Sequence, residues 1–239
     1  MRILAFESSA KAASVALSED GVLLAESYRN NGLTHSRTLM KLAQELLEDC
    51  GLTAKELTAV ACAAGPGSFT GVRIGVAAAK GLAWGAEKPC VGVSTLEAMA
   101  RQGACFEGIL CCAMDARRAQ VYNALFSCKN GTIERLTDDR AVSLEELENE
   151  LKSYAEPKIF LGDGAQLCYN TIGTRVADCR CAPEQLRMQR ASGVALAANA
   201  LLLSGQSDFS GAALTPNYLR LSQAERERAE RLRQSEGGA

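Results

Sequence analysis

One stretch, residues 63–85 (AAGPGSFTGVRIGVAAAKGLAWG), leaves this chain few ways to fold. Residues 57–63 before it form an apolar run long enough for a buried strand and too short for a helix. Gly65-Pro66-Gly67 breaks that run, because proline fixes φ and the flanking glycines reach dihedrals that other residues avoid. Ser68 or Thr70 can then cap a helix over 72–85. That helix is apolar or small nearly all round, with only Arg73 and Lys80 charged, so it should be covered on most sides. Gly71, Gly75 and Ala79 recur every four residues, as do Ala77, Gly81 and Gly85, and such rows let another helix approach closely. Two readings of the turn stand side by side. One is a strand-to-helix connection with glycines for packing; the other is an anion site, since amides at a helix N-terminus point at whatever precedes them. The Walker pattern is absent, and the glycines are spaced wrongly for a dinucleotide fingerprint.

The rest of the chain reads as two similar units. Strands at 3–7, 13–18 and 22–28 open a meander, and Thr34 or Ser36 caps a helix that Gly51 closes. The apolar residues of that helix cover an arc of about 160°, wider than the ~100° that one core face needs. Its surplus edge, Met40 with Ala43 and Leu47, serves either a partner or a deep groove of the same domain. After strand 89–93 and helix 94–102, Gly103 marks a boundary. The scheme then restarts with strands 108–114, 119–127 and 132–136, an acidic helix 143–153, strand 158–161, the Gly162-Asp163-Gly164 loop and a helix near 191–204. This suggests an internal duplication, with domains at 1–103 and 104–221. A charge-alternating tail, 222–239, follows. A net charge of −2 gives no global reason to bind a polyanion. The ten cysteines sit mostly inside apolar runs, as small hydrophobes of a reducing cytoplasm do, and no signal peptide or membrane span is expected.

The segment GPGSFTGVRIG, residues 65–75, resembles the signature of the TsaB (YeaZ) family. Further matches lie at Thr34-His35-Ser36, Gly92-Val93-Ser94-Thr95-Leu96, Met114-Asp115-Ala116-Arg117 and Pro216-Asn217-Tyr218-Leu219-Arg220. The resemblance implies an α/β fold of the actin-like/Hsp70-like ATPase superfamily: two ribonuclease H-like halves facing a cleft, the second half reduced. It also implies a part in making threonylcarbamoyladenosine beside the tRNA anticodon. In that role the chain would be a non-catalytic scaffold for a TsaD-like catalytic paralogue, alongside a TsaE-like ATPase, with tRNA reached through the complex and a homodimer formed when alone.

Chemistry of its own is hard to find in the chain. An ATPase of this superfamily holds phosphate on the amides of two hairpin loops and Mg²⁺ through an acid. The loops here, Glu7-Ser8-Ser9-Ala10-Lys11 and Asp115-Ala116-Arg117-Arg118, contain no glycine. Asp115 and Arg117 are expected to fix their turn by hydrogen bonds and an ion pair. His35 is the only histidine, expected to make a local bond at a helix start. Thr95 and Met99 occupy the positions that match the metal-binding histidine pair of the catalytic paralogue. No metal site is expected, and no nucleophile has a base. A weak ATP or ADP site, shared with a partner, is the remaining candidate, built from Ser8, Ser9, Lys11, Gly67, Ser68, Phe69, Thr70 and Gly71. The partner surface is assigned to Leu39, Met40, Ala43 and Leu47 on one helix and Gly71, Arg73, Gly75, Val76, Ala79 and Lys80 on the other. Rival classes are an independent ATPase or small-molecule kinase, which glycine-bearing loops would favour, and a metallopeptidase, which a histidine pair would favour.

Overall fold

The computed structural model describes residues 1–205 and 209–220; the charged tail read from 222 onward lies outside them. The first half runs β1 (Arg2–Glu7), β2 (Ala13–Glu19), β3 (Val22–Arg29), α1 (His35–Asp49), β4 (Ala59–Ala63), α2 (Phe69–Ala86), β5 (Cys90–Val93) and α3 (Thr95–Gln102). The second half runs β6 (Gly108–Asp115), β7 (Gln120–Lys129), β8 (Thr132–Arg135), β9 (Arg140–Ser143), α4 (Leu144–Leu151), β10 (Lys158–Leu161), α5 (Ala165–Ile172), β11 (Cys179–Cys181), α6 (Glu184–Arg187) and α7 (Ala191–Leu203).

The duplication is visible in the strand orders. Sheet one is ordered β3-β2-β1-β4-β5, and sheet two, read from its far edge, β8-β7-β6-β10-β11. In each, the second strand is antiparallel to the first and the last two are parallel to it. This is the ribonuclease H-like arrangement, present twice. β9 pairs with the opening residues of β7 and β8 with its closing residues, so together they do the work of a single third strand.

Alternating strand residues build four apolar clusters, one on each sheet face. α1 and α2 cover the outer face of sheet one, and α4 and α5 that of sheet two. The two closing helices cross over. α7 packs on sheet one through Ala191, Val194, Ala195 and Ala198, while α3 packs on sheet two through Leu96, Met99 and Ala100. The two helices also touch each other closely. A Cβ at Gly193 would lie 2.3 Å from the Ala98 carbonyl oxygen, so only glycine fits that crossing.

Several local expectations need revision. α2 begins at Phe69, so half of the Gly-rich motif is already helical; Ser68 is its N-cap and accepts from the Gly71 amide at 3.3 Å. Residues 140–143, 165–172, 179–181 and 184–187 form elements where the sequence pattern suggested none. Each is eight residues or shorter, too little for a periodicity to show. Gly51 takes the left-handed conformation that ends α1, with Leu52 N donating to Leu47 O. The surplus edge of α1 resolves toward the groove: Ala43 and Leu47 are buried among α2 side chains, and Met40 alone stays exposed. α2 is covered over about half its circumference rather than most of it. Val72, Gly75, Val76, Ala79 and Ala83 face the sheet, and Arg73, Ala77, Gly81, Trp84 and Gly85 face outward.

Candidate functional site

The motif glycines are explained by the loop between β1 and β2. α2 lies directly on it: the Ser68 amide donates to Ser9 O at 2.7 Å and Ser8 Oγ donates to Gly71 O at 2.9 Å. A Cβ at Gly67 would sit 2.6 Å from Ser9 O, one at Gly71 2.1 Å from Ser8 O, and one at Gly75 2.4 Å from Ser8 Oγ. Packing therefore accounts for these positions. The same contact uses up part of the helix terminus. Of the amides at this terminus, those of Gly67, Phe69 and Thr70 make no hydrogen bond among the described residues, and these three residues line the cleft between the halves.

That cleft collects most of the sequence-predicted phosphate set. Ser9, Lys11, Gly67, Ser68, Phe69 and Thr70 line it from the first half, whereas Ser8 and Gly71 are buried beneath. Asp115, Arg117, Tyr122 and Asp163 line it from the second half, and Asn217, Tyr218, Leu219 and Arg220 close one side. The second loop keeps a tight turn without glycine. Arg117, Arg118 and Ala119 all take positive φ, near +60°, where side chains are disfavoured. Asp115 Oδ1 accepts from the Arg117 amide at 2.7 Å, which fixes the turn. The expected ion pair is not made: among the described residues Asp115 has no cationic partner, and Arg117 is exposed.

At the start of the first loop, whose Ser9 and Lys11 line the cleft, lies Glu7, 1% exposed. Its Oε1 accepts from the Ser9 amide at 2.6 Å, and its Oε2 has no partner among the described residues. Burial pushes its pKa up to about 7; the bonds from Ser9 oppose this and the nearby Asp163 carboxylate adds to it. Asp163 is raised too, first by burial, although Gln189 Nε2 donates to its Oδ1 at 2.8 Å. The sequence marks Glu7 as an acid of the first loop; nothing in it pairs Glu7 with Asp163. His35 corrects its expectation. Its Nε2 bonds Ala10 O at 2.8 Å, a contact across 25 residues that ties α1 to the first loop rather than a local cap. Thr95 and Met99 are buried in α3 between the sheets, away from the cleft surface.

The predicted partner surface divides in two. Leu39, Ala43, Leu47, Gly71, Gly75, Val76 and Ala79 lie in the chain's own core and cannot meet a partner without unfolding it. Met40, Arg73 and Lys80 are at the surface, and both cations are engaged by the C-terminal segment. Arg73 Nε donates to the Tyr218 hydroxyl at 2.7 Å, and Lys80 Nζ donates to Leu214 O at 3.0 Å. The open row is Ala77, Gly81 and Gly85. A Cβ at Gly81 or Gly85 would meet nothing within 4 Å, and Trp84 beside them is 85% exposed. Gly211 and Ala212 complete a shallow groove at that place. Among the described residues no helix is long and apolar enough to cross a membrane, and all ten cysteines are free thiols.

Comparison with known proteins places this geometry. A family model described as TsaD, tRNA N6-adenosine threonylcarbamoyltransferase, matches residues 28–228. The tRNA threonylcarbamoyladenosine biosynthesis protein TsaB of Bacillus subtilis is 34% identical over 229 residues, which cover 94% of this chain and 96% of that protein. TsaB of Escherichia coli is 38% identical over 152 residues, covering 63% of this chain and 65% of its own. Among solved structures, a protein from Pseudomonas aeruginosa with similarity to peptidase YeaZ superposes with a TM-score of 0.79 at 24% identity, covering 92% of this chain and 99% of its own. Component A of the Acidaminococcus fermentans (R)-2-hydroxyglutaryl-CoA dehydratase shares the fold at a TM-score of 0.50 and 13% identity, over 85% of this chain and 99% of its own.

Proposed function

The chain belongs to the TsaB family, and on that premise we propose that it is a non-catalytic subunit of tRNA threonylcarbamoyladenosine synthesis. It binds a TsaD-type paralogue and supports transfer of the threonylcarbamoyl group to the adenosine amine without supplying a reacting group. The observation that carries this reading is Trp84. A tryptophan 85% exposed beside two uncovered glycines, on a helix with few charges, is a surface held ready for a neighbouring helix. With the partner absent, a second copy can occupy the same face, because a symmetric dimer needs only a self-complementary patch.

The cleft supports the non-catalytic half of the proposal. In the first loop the Ser9 amide donates to Glu7 Oε1, and in the second the amides of Ala116, Arg117 and Gln120 serve the loop's own turn, so these donors are not available to cradle phosphate. The free amides of Gly67, Phe69 and Thr70 and the Lys11 side chain leave room for a weak nucleotide phosphate contact at most, shared with the partner. A TsaE-type ATPase and the tRNA join through the complex; the net charge of −2 gives no global attraction to a polyanion.

The test is reconstitution. With the paralogue and tRNA, threonylcarbamoyl transfer should depend on this chain, and the chain alone should transfer nothing and hydrolyse no ATP. Metal-dependent hydrolysis by the isolated chain near the enzymatic median of about 10 s⁻¹, abolished by Glu7→Ala or Asp115→Ala, contradicts the proposal.

A further inference from the structure

The Pro-Asn-Tyr-Leu-Arg segment that the sequence singles out is left without a role by the reading above, yet the residues around it bond to positions more than 100 residues away in the chain. Residues 209–220 form an irregular strap across the first half. At one end Phe209 O accepts from the Cys90 amide at 2.9 Å, and Gly211 and Ala212 lie beside Trp84 and Lys80 in the outer groove. In the middle, Leu214 is seated on Gly92, where a Cβ would come within 2.3 Å of Leu214 Cδ1. Further along, the Asn217 amide donates to Ala64 O at 2.6 Å, and Gly65 is a glycine because a Cβ there would strike Asn217 O at 2.4 Å. The Tyr218 ring stacks on Phe69 with centroids 4.6 Å apart, and the Arg73 guanidinium lies 3.7 Å over Phe69 while bonding the Tyr218 hydroxyl. At the far end Arg220 Nη1 donates to Ala116 O at 2.9 Å, reaching the second half's loop.

We propose that this strap opens and closes as one unit, so that the cleft wall at Tyr218–Arg220 and the groove floor at Gly211–Ala212 are formed or lost together. The strap joins neither sheet as a strand; two isolated backbone bonds and side-chain anchors at spaced points hold it. Such a segment has two discrete arrangements, seated or released, with little to stabilise a half-seated one. Loss of the Tyr218 stack therefore weakens the Leu214 seat and the Phe209 contact. A body resting against Gly211 and Ala212 likewise holds Tyr218 and Arg220 in place. On the partner reading above, docking on the α2 face sets the shape of the cleft; the coupling along the strap itself does not depend on which partner docks.

The chain carries its own reporters at the groove end. Cys90 is 2% exposed beneath Phe209 and Gly211, and Trp84, the only tryptophan, lines the groove. Cys111, fully buried in the second half, is an internal control for global unfolding. The experiment is peptide-resolved alkylation of the full chain with iodoacetamide, with no partner present, on the parent, Tyr218→Ala and Arg220→Ala. Losing the stack and its hydrogen bond should raise the Cys90 rate relative to Cys111 by roughly tenfold or more, with Arg220→Ala acting in the same direction and Trp84 emission shifting in parallel. If Tyr218→Ala perturbs the fold, Cys111 reports it, and Tyr218→Phe, which deletes only the hydroxyl, replaces it with a smaller expected rise. A Cys90 rate unchanged relative to Cys111 in these cleft-end variants shows that the strap frays locally and overturns the proposal. Failure of the chain to bind a paralogue would leave these rates unaffected and count only against the partner reading.

Discussion

Glu7→Gln should flatten the pH dependence of stability. In the unfolded chain a glutamate titrates near 4.5, and in the fold Glu7 does so near 7. Between those values the folded chain holds a proton that the unfolded chain has released, so stability falls as pH rises through this window and levels off above it. At about 1.4 kcal/mol per pH unit the loss is about 3 kcal/mol. Glutamine keeps the acceptor that the Ser9 amide uses at 2.6 Å and cannot ionise, so it imitates the protonated acid. Parent and variant should therefore differ least at the acid end, by less than about 1 kcal/mol near pH 5. The variant should gain up to about 3 kcal/mol by pH 8, or roughly 6–12 °C in Tm for a chain of this size. Urea or thermal unfolding of both proteins from pH 5 to 8.5 measures it. Parallel profiles would mean that Glu7 ionises freely in the fold and refute the raised carboxyl.

Three further substitutions separate core from surface. Gly71→Ala places a methyl 2.1 Å from the Ser8 carbonyl, which is backbone and cannot yield, so a loss of about 1–3 kcal/mol is expected on denaturant unfolding. Leu47→Glu buries a charge in the α1–α2 seam and should abolish the cooperative transition, whereas Met40→Glu, at a site already 44% exposed, should leave circular dichroism and Tm nearly unchanged.

Much of this fold was legible because its long elements carry strong patterns. The Gly65-Pro66-Gly67 break, the small-residue helix behind it and the repeated meander all appear where the residues suggest. The sequence could not divide the two glycine rows by inspection. Both have the same spacing, and only the seat of α2 on Ser8 and Ser9 decides that Gly71 and Gly75 face inward and Gly81 and Gly85 outward. Arg73 and Lys80 were assigned to the partner surface together with the Gly71, Gly75 and Ala79 row, which is buried, and their own partners, Tyr218 and Leu214, lie more than 130 residues away. Similar distances hid the strap's close approach to Gly65 and Gly92, where Asn217 and Leu214 leave no room for a Cβ. Short elements such as Cys179–Cys181 hold their shape through pairing with β10 rather than through any propensity of their own.

The central claim is that the outer face of α2 binds a TsaD-type paralogue. The measurement that bears on it most directly is sedimentation or calorimetric titration of that paralogue with the parent chain, Trp84→Ala and Gly81→Leu. Neither substitution touches the core, so both variants should match the parent in Tm. An exposed tryptophan that becomes an interface anchor should cost at least about 2 kcal/mol of binding, some thirtyfold in Kd, and a leucine at Gly81 should wedge the helices apart to a similar extent. Binding by both variants as tight as that of the parent would place the partner elsewhere on the molecule.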